Sequence, residues 1–159
     1  MKIIWKFFTS AAISGTPALD NSGNIFIGSI DHYFYCVDID SGFMKWKFDS
    51  GSEIQSGSAV DEKSVYFGNP AGYFYALDKK NGSVNWKFKS KGNFSSSPTV
   101  TNNHVVIGSF DKKVYIMDKH DGKVVWEHEF EGRLKASPGI WRNYLIICSE
   151  DYEINLFKF

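Results

Sequence analysis

The chain has 159 residues, 18 basic and 18 acidic, with 43% hydrophobic and 17% aromatic content. That length fits one domain with a substantial core, and a formal charge of zero supplies no field for holding a polyanion, which argues against a nucleic-acid binder. The aromatic content argues against disorder, no apolar run approaches the roughly 18 residues of a membrane span, and two distant cysteines, Cys36 and Cys148, are too few for a disulfide scaffold or a cysteine-rich zinc site.

The first segment, residues 1–8, starts like a short secretory signal, with Met1-Lys2 and bulky apolar residues. Lys6 interrupts it, leaving less than the apolar core of about 7–15 residues that a signal needs. Its Trp5-Lys6-Phe7 recurs as Trp46-Lys47-Phe48 and Trp86-Lys87-Phe88, with Trp126-Glu127-His128 in the fourth place. Residues 2–8 therefore read as a β-strand of a repeat. With no export signal in this stretch, a cytoplasmic location is expected.

The repeat sets the organisation. Trp5, Trp46, Trp86 and Trp126 lie 41, 40 and 40 residues apart. Ile13, Ile54, Phe94 and Leu134 keep the same intervals, and Gly28, Gly68, Gly108 and Cys148 form another row. The units run over 9–48, 49–88, 89–128 and 129–159, after the strand in 1–8. In the third unit, Ser97–Val100 reads as strand A, His104–Gly108 as B, Val114–Met117 as C and Lys123–His128 as D. Turn residues separate these segments, and none carries a helical stripe. Four short strands per unit of about 40 residues predict an all-β propeller of four-stranded antiparallel blades.

The C–D connections carry the sharpest local signal. Asp38, Gly42 and Trp46 are spaced four and four, as are Asp78, Gly82 and Trp86, and Asp118, Gly122 and Trp126. An Asp can accept turn N–H groups, Gly can take φ > 0, and Trp can lay a flat face on a neighbouring sheet. Cys36 to Trp46 resembles the tryptophan-docking motif of quinoprotein-type (PQQ-like) propeller repeats, and so do Ala76 to Trp86 and Ile116 to Trp126. The resemblance implies that each Trp, Trp5 included, stacks on the Gly-containing turn of the next blade.

The two ends are complementary. Residues 2–8 form a D strand without A to C, whereas the last unit has A at Pro138–Trp141, B at Tyr144–Cys148 and C at Ile154–Phe157 but no D. An unpaired C strand invites another chain. Closure is open to a four-bladed monomer with about 90° between blades, or a homodimer of eight blades at about 45° in which residues 2–8 complete the partner's fourth blade. A half of a longer chain is a third reading. The resemblance is to a family of typically eight-bladed rings, which favours the dimer.

Chemistry is weakly signalled. The resemblance would imply PQQ and calcium, but no residue here matches that ligand set one by one, and adjacent cysteines are missing. Asp38 to Gly42 has the start of a calcium-loop rhythm without the downstream Glu. Asp31, Asp111 and Asp151 fall in B–C turns, His32, His104, His120 and His128 fall at different places in the unit, and Arg133, Lys135, Trp141 and Arg142 form the one Arg-bearing stretch. No catalytic, cofactor or metal residue is assigned. The expected function is a non-catalytic scaffold binding an unknown protein or peptide. The resemblance supports it, since such repeats also build the barrel-assembly lipoprotein of bacterial outer membranes. The alternatives are a PQQ/calcium module, or a sensor or sugar-binding fragment of a larger protein.

Overall fold

Short apolar runs punctuated by Gly, Asn, Asp and Ser become fifteen β-strands and no helix in the computed structural model, which describes all residues from 1 to 159. The first sheet comprises β1 (Ala18–Leu19), β2 (Asn24–Gly28), β3 (Tyr33–Asp38) and β4 (Met44–Asp49). The second holds β5 (Ala59–Val60), β6 (Ser64–Gly68), β7 (Tyr73–Asp78) and β8 (Val84–Lys89), and the third holds β9 (Thr99–Val100), β10 (His104–Gly108), β11 (Lys113–Asp118) and β12 (Val124–Glu129). The fourth has three strands, β13 (Gly139–Trp141), β14 (Tyr144–Cys148) and β15 (Ile154–Lys158). Each sheet is an antiparallel meander in chain order.

The central strands of the second and third sheets are apolar on both faces because each of these sheets is sandwiched between two neighbours. Phe26, Phe34, Cys36 and Trp46 of the first sheet pack on Ile54, Val65, Phe67 and Leu77 of the second. Equivalent clusters join the second sheet to the third and the third to the fourth. A fourth, smaller cluster sets Trp5 and Phe7 against Ile27, Tyr35 and Val37 of the first sheet. No apolar cluster joins the fourth sheet to the first.

The two ends do not meet within the single chain. Residues 2–8 belong to no ladder, and the fourth sheet keeps three strands instead of gaining a D strand from them. The four-bladed monomer closed on itself is therefore not the arrangement observed. A ladder needs a partner, and in the single chain the head docks on the first sheet by its side chains. The cysteines are both free, Cys36 in the first sheet and Cys148 in the fourth.

Candidate functional site

The repeated turns between the third and fourth strands hold the most ordered polar geometry. Asp38 Oδ1 accepts from Ser41 N at 2.9 Å and Ser41 Oγ at 2.8 Å, while its Oδ2 pairs with Lys45 Nζ at 2.9 Å. The Lys45 ammonium and the Ser41 donors hold the Asp38 carboxyl well below the usual range. Asp78 accepts from Lys80 N at 2.8 Å, and Asp118 from His120 N at 2.7 Å. Gly42, Gly82 and Gly122 close these turns at φ of 72°, 75° and 73°, where L side chains are disfavoured.

A second reason for glycine is the ring above it. A Cβ on Gly42 would lie 2.6 Å from Trp5, one on Gly82 2.6 Å from Trp46, and one on Gly122 2.6 Å from Trp86. Each indole N–H also donates to a turn carbonyl: Trp5 to Ile39 O at 2.7 Å, Trp46 to Lys79 O at 3.1 Å, Trp86 to Lys119 O at 2.9 Å. Trp46 and Trp86 are 9% and 8% exposed, whereas Trp126 is 37% exposed and lies against His128 and Phe157. Asp, Gly and Trp of one motif thus do not meet as a triad. Trp5, Trp46 and Trp86 each contact the turn of the following sheet, whereas Trp126 meets β15 instead.

The head segment repeats this geometry beyond Trp5. Phe7 meets Tyr35 at 5.4 Å between centroids, as Phe48 meets Tyr75 at 5.3 Å and Phe88 meets Tyr115 at 5.0 Å. Ile30 N donates to Ala12 O at 2.9 Å, matching Phe110 N to Asn93 O at 2.9 Å and Glu150 N to Arg133 O at 3.0 Å. Asp31 Oδ2 accepts Ser10 N at 2.8 Å, as Asp111 Oδ2 accepts Lys91 N at 3.3 Å. The head therefore lies where the fourth strand of a preceding sheet would lie, its hydrogen-bonding edge unused. At the other end β15 has an open edge, and Ile154 and Leu156, counterparts of buried Phe34 and Cys36, are exposed. A groove of about 450 Å³ lined by Trp5, Phe7, Ile13 and Ile27 marks the head, and one of about 400 Å³ lined by Trp126, Phe157 and Phe159 marks the tail.

Inter-sheet ion pairs are a feature that sequence reading missed. Lys79 Nζ meets Asp20 Oδ2 at 3.2 Å, and Lys119 Nζ meets Asp61 Oδ2 at 3.1 Å, linking each A–B turn to the next C–D turn. Asp20 also caps its own turn by accepting Ser22 N at 2.9 Å and Asn24 N at 3.0 Å. Burial alone would raise its pKa, but hydrogen bonds from Asn24, Ser22 and Lys79 outweigh it and hold the group at about 2. The recurrence of Asp20 and Asp61 at the repeat interval was the available signal.

The other candidates resolve into turn chemistry. Asp31 accepts from Tyr33 N at 3.0 Å and Tyr35 OH at 2.7 Å, and Asp111 from Lys113 N at 3.2 Å and Tyr115 OH at 2.7 Å. Arg133 lies over the Phe110 ring at 5.7 Å, whereas Arg142 covers Trp141 at 4.5 Å in the A–B turn, so the Arg-bearing stretch is divided between two loops. No three His, Cys, Asp or Glu side chains converge on one point. Clefts of about 700 and 650 Å³ open among the A–B and C–D turns. Four carboxylates line them: Asp20 and Asp61 are engaged by lysines, Asp78 accepts from its own turn, and Glu62 faces both clefts, while Tyr66 and His120 are the only rings. That lining does not fit PQQ and calcium, which need acidic ligands converging on one point and aromatic faces to stack between, since no three such ligands converge and Tyr66 is the single large ring.

Residues 31–138 match a family model described as outer membrane protein assembly factor BamB. Among solved structures, BamB from Moraxella catarrhalis superposes with a TM-score of 0.90 at 19% identity, covering 99% of this chain and 53% of that one. The computationally designed Ika4 protein gives 0.85 at 16% identity, covering 95% and 93%. Quinohemoprotein alcohol dehydrogenase from Comamonas testosteroni gives 0.74 at 16%, covering 86% and 29%. The chain thus spans about half the length of the BamB structure. No curated protein matches it in sequence. The description as an outer-membrane assembly factor gives no support to the cytoplasmic location expected above.

Proposed function

Since the chain belongs to the PQQ-like repeat family described as outer membrane protein assembly factor BamB, we propose that it is a non-catalytic propeller scaffold for protein or peptide partners, closed into an eight-bladed ring by a second copy. The observation that carries closure is the pair of unpaired edges, that of β15 and that of the head docked on the first sheet. In the register of Phe34 to Phe48, Tyr35 to Lys47 and Cys36 to Trp46, β15 of one copy takes the other's head with Ile154 opposite Phe7, Asn155 opposite Lys6 and Leu156 opposite Trp5. Ile154 and Leu156 then cover the groove beside Trp5. The arrangement removes both free edges, which sheet proteins otherwise have to protect.

The docking residues Trp5, Asp38, Gly42, Trp46, Asp78, Gly82, Trp86, Asp118, Gly122 and Trp126 serve in this reading as the ties between blades. The superposition on half of BamB supports a half-ring wedge between sheets. The scaffold reading is supported by the repeated carboxylates Asp20, Asp38, Asp61, Asp78 and Asp118, which are spent on turns and inter-sheet pairs. Deletion of residues 1–8 tests it. The truncated chain is expected to lose the dimer or aggregate, and an unchanged dimer mass would refute the shared strand. A quinoprotein module is the second reading, favoured only by the shared fold. Saturating PQQ with calcium would raise the melting temperature if that reading held, and no shift is expected.

A further inference from the structure

The place that holds an ion pair at two of the three inner interfaces, and Thr101 with Phe159 at the third, holds two exposed apolar side chains at the open ends. Lys79 and Lys119 each donate a backbone N–H to their own A–B turn, at Lys63 O and Asn103 O, and each offers a carbonyl to the preceding Trp. Ile39 does the same, donating to Gly23 O at 2.9 Å and accepting from Trp5 at 2.7 Å. It is therefore the first sheet's counterpart of those lysines. On the other side, Asp61 follows Val60, which pairs with Val65, and Trp141 follows Ile140, which pairs with Leu145. Trp141 is therefore the fourth sheet's counterpart of Asp61. It is 58% exposed and Ile39 is 38% exposed.

We propose that Trp141 of one copy packs on Ile39 of the second copy, and that this apolar lock is what selects a second copy's first sheet as the occupant of the tail. The proposal rests on the ring-closure reading and adds its specificity determinant. The geometry is complementary: inside, a long Lys reaches a short Asp, whereas at the seam a long Trp reaches a short Ile, so the span is kept with the long member on the other side. Mismatches are penalised in both directions. Trp141 against an inner turn would bury a Lys ammonium without its carboxylate, and Ile39 against Asp20 or Asp61 would strand a carboxylate. Trp141 is also held in place, stacked on Tyr144 at 6.1 Å and 18° and covered by Arg142, which sits at φ 55°.

The test is the dimer dissociation constant, from sedimentation velocity over a concentration series, for wild type, Trp141→Asp, Ile39→Lys and the double variant. Each single change puts one unpaired charge into the seam and is expected to weaken the dimer about 100-fold; the double variant rebuilds the inner ion pair and is expected to return within about tenfold of wild type. Trp141→Phe keeps the apolar face and should retain the dimer, which covers the case of a single variant that fails to fold. Singles as tight as wild type, or a double no tighter than the singles, would overturn the lock while leaving the ring intact. A wild-type chain that stays monomeric at every concentration would overturn the ring itself, and the lock with it.

Discussion

Replacing Gly82 by Ala places a methyl group 2.6 Å from Cε3 and 2.9 Å from Cδ2 of Trp46. Carbon atoms rest at about 3.5–4.0 Å, so the rigid indole has to retreat by about 1 Å. Overpacking of this kind costs about 1–3 kcal/mol. The retreat also weakens the indole bond to Lys79 O, now 3.1 Å long, a loss of about 1 kcal/mol. The backbone at φ 75° adds about 1–2 kcal/mol for a residue with a Cβ. Gly51→Ala is the control, because Gly51 has φ 70° and open space around it, so only the last cost applies. The expected losses are about 3–6 kcal/mol for Gly82→Ala and about 1–2 kcal/mol for Gly51→Ala. At roughly 2–4 °C per kcal/mol for a chain of this size, the two melting temperatures should separate by several degrees. Thermal melts followed by circular dichroism read the difference without relying on tryptophan emission. Equal losses at the two positions would refute the argument that the Trp46 contact, and not merely the turn, fixes Gly82.

Two further outcomes follow from other parts of the structure. Asp20, held at about 2 by its hydrogen bonds and Lys79, is lower folded than unfolded, so its charged form stabilises the fold above about pH 4 and that contribution is lost as pH falls from about 4 towards 2. Asp20→Asn should flatten the acid decline in melting temperature over that window, and a parallel decline would show that the carboxylate contributes nothing there. Cys148 stands where Gly28, Gly68 and Gly108 receive Ile54, Phe94 and Leu134. In the ring its partner is Ile13 of the second copy, so Cys148→Gly should tighten the dimer by about tenfold, through relief of the kind of overpacking measured elsewhere; a weaker dimer would contradict that placement.

Strand content was legible because the apolar runs are short and the turns chemically explicit: His104–Gly108 reads as a strand from sequence and is one. The Trp-to-Gly contacts were legible as a resemblance, since Gly at φ > 0 and a flat indole recur at fixed spacing. Residues 2–8 carry the side-chain pattern of a strand but join no ladder in the single chain, because a ladder depends on a partner edge that the chain does not bring to them. The Lys79–Asp20 and Lys119–Asp61 pairs were invisible for a related reason. Each joins surface turns of different sheets, and their partners become neighbours only once the sheets stack. Trp141 was noticed beside Arg142, but its meaning came from its equivalence to Asp61, which the strand register supplies.

The central claim is that two copies finish each other's outer blades. Sedimentation equilibrium of the chain measures it most directly: the account requires a closed species of twice 18.1 kDa that grows no further with concentration. A mass of 18.1 kDa throughout, or an open series of ever larger assemblies, would contradict it.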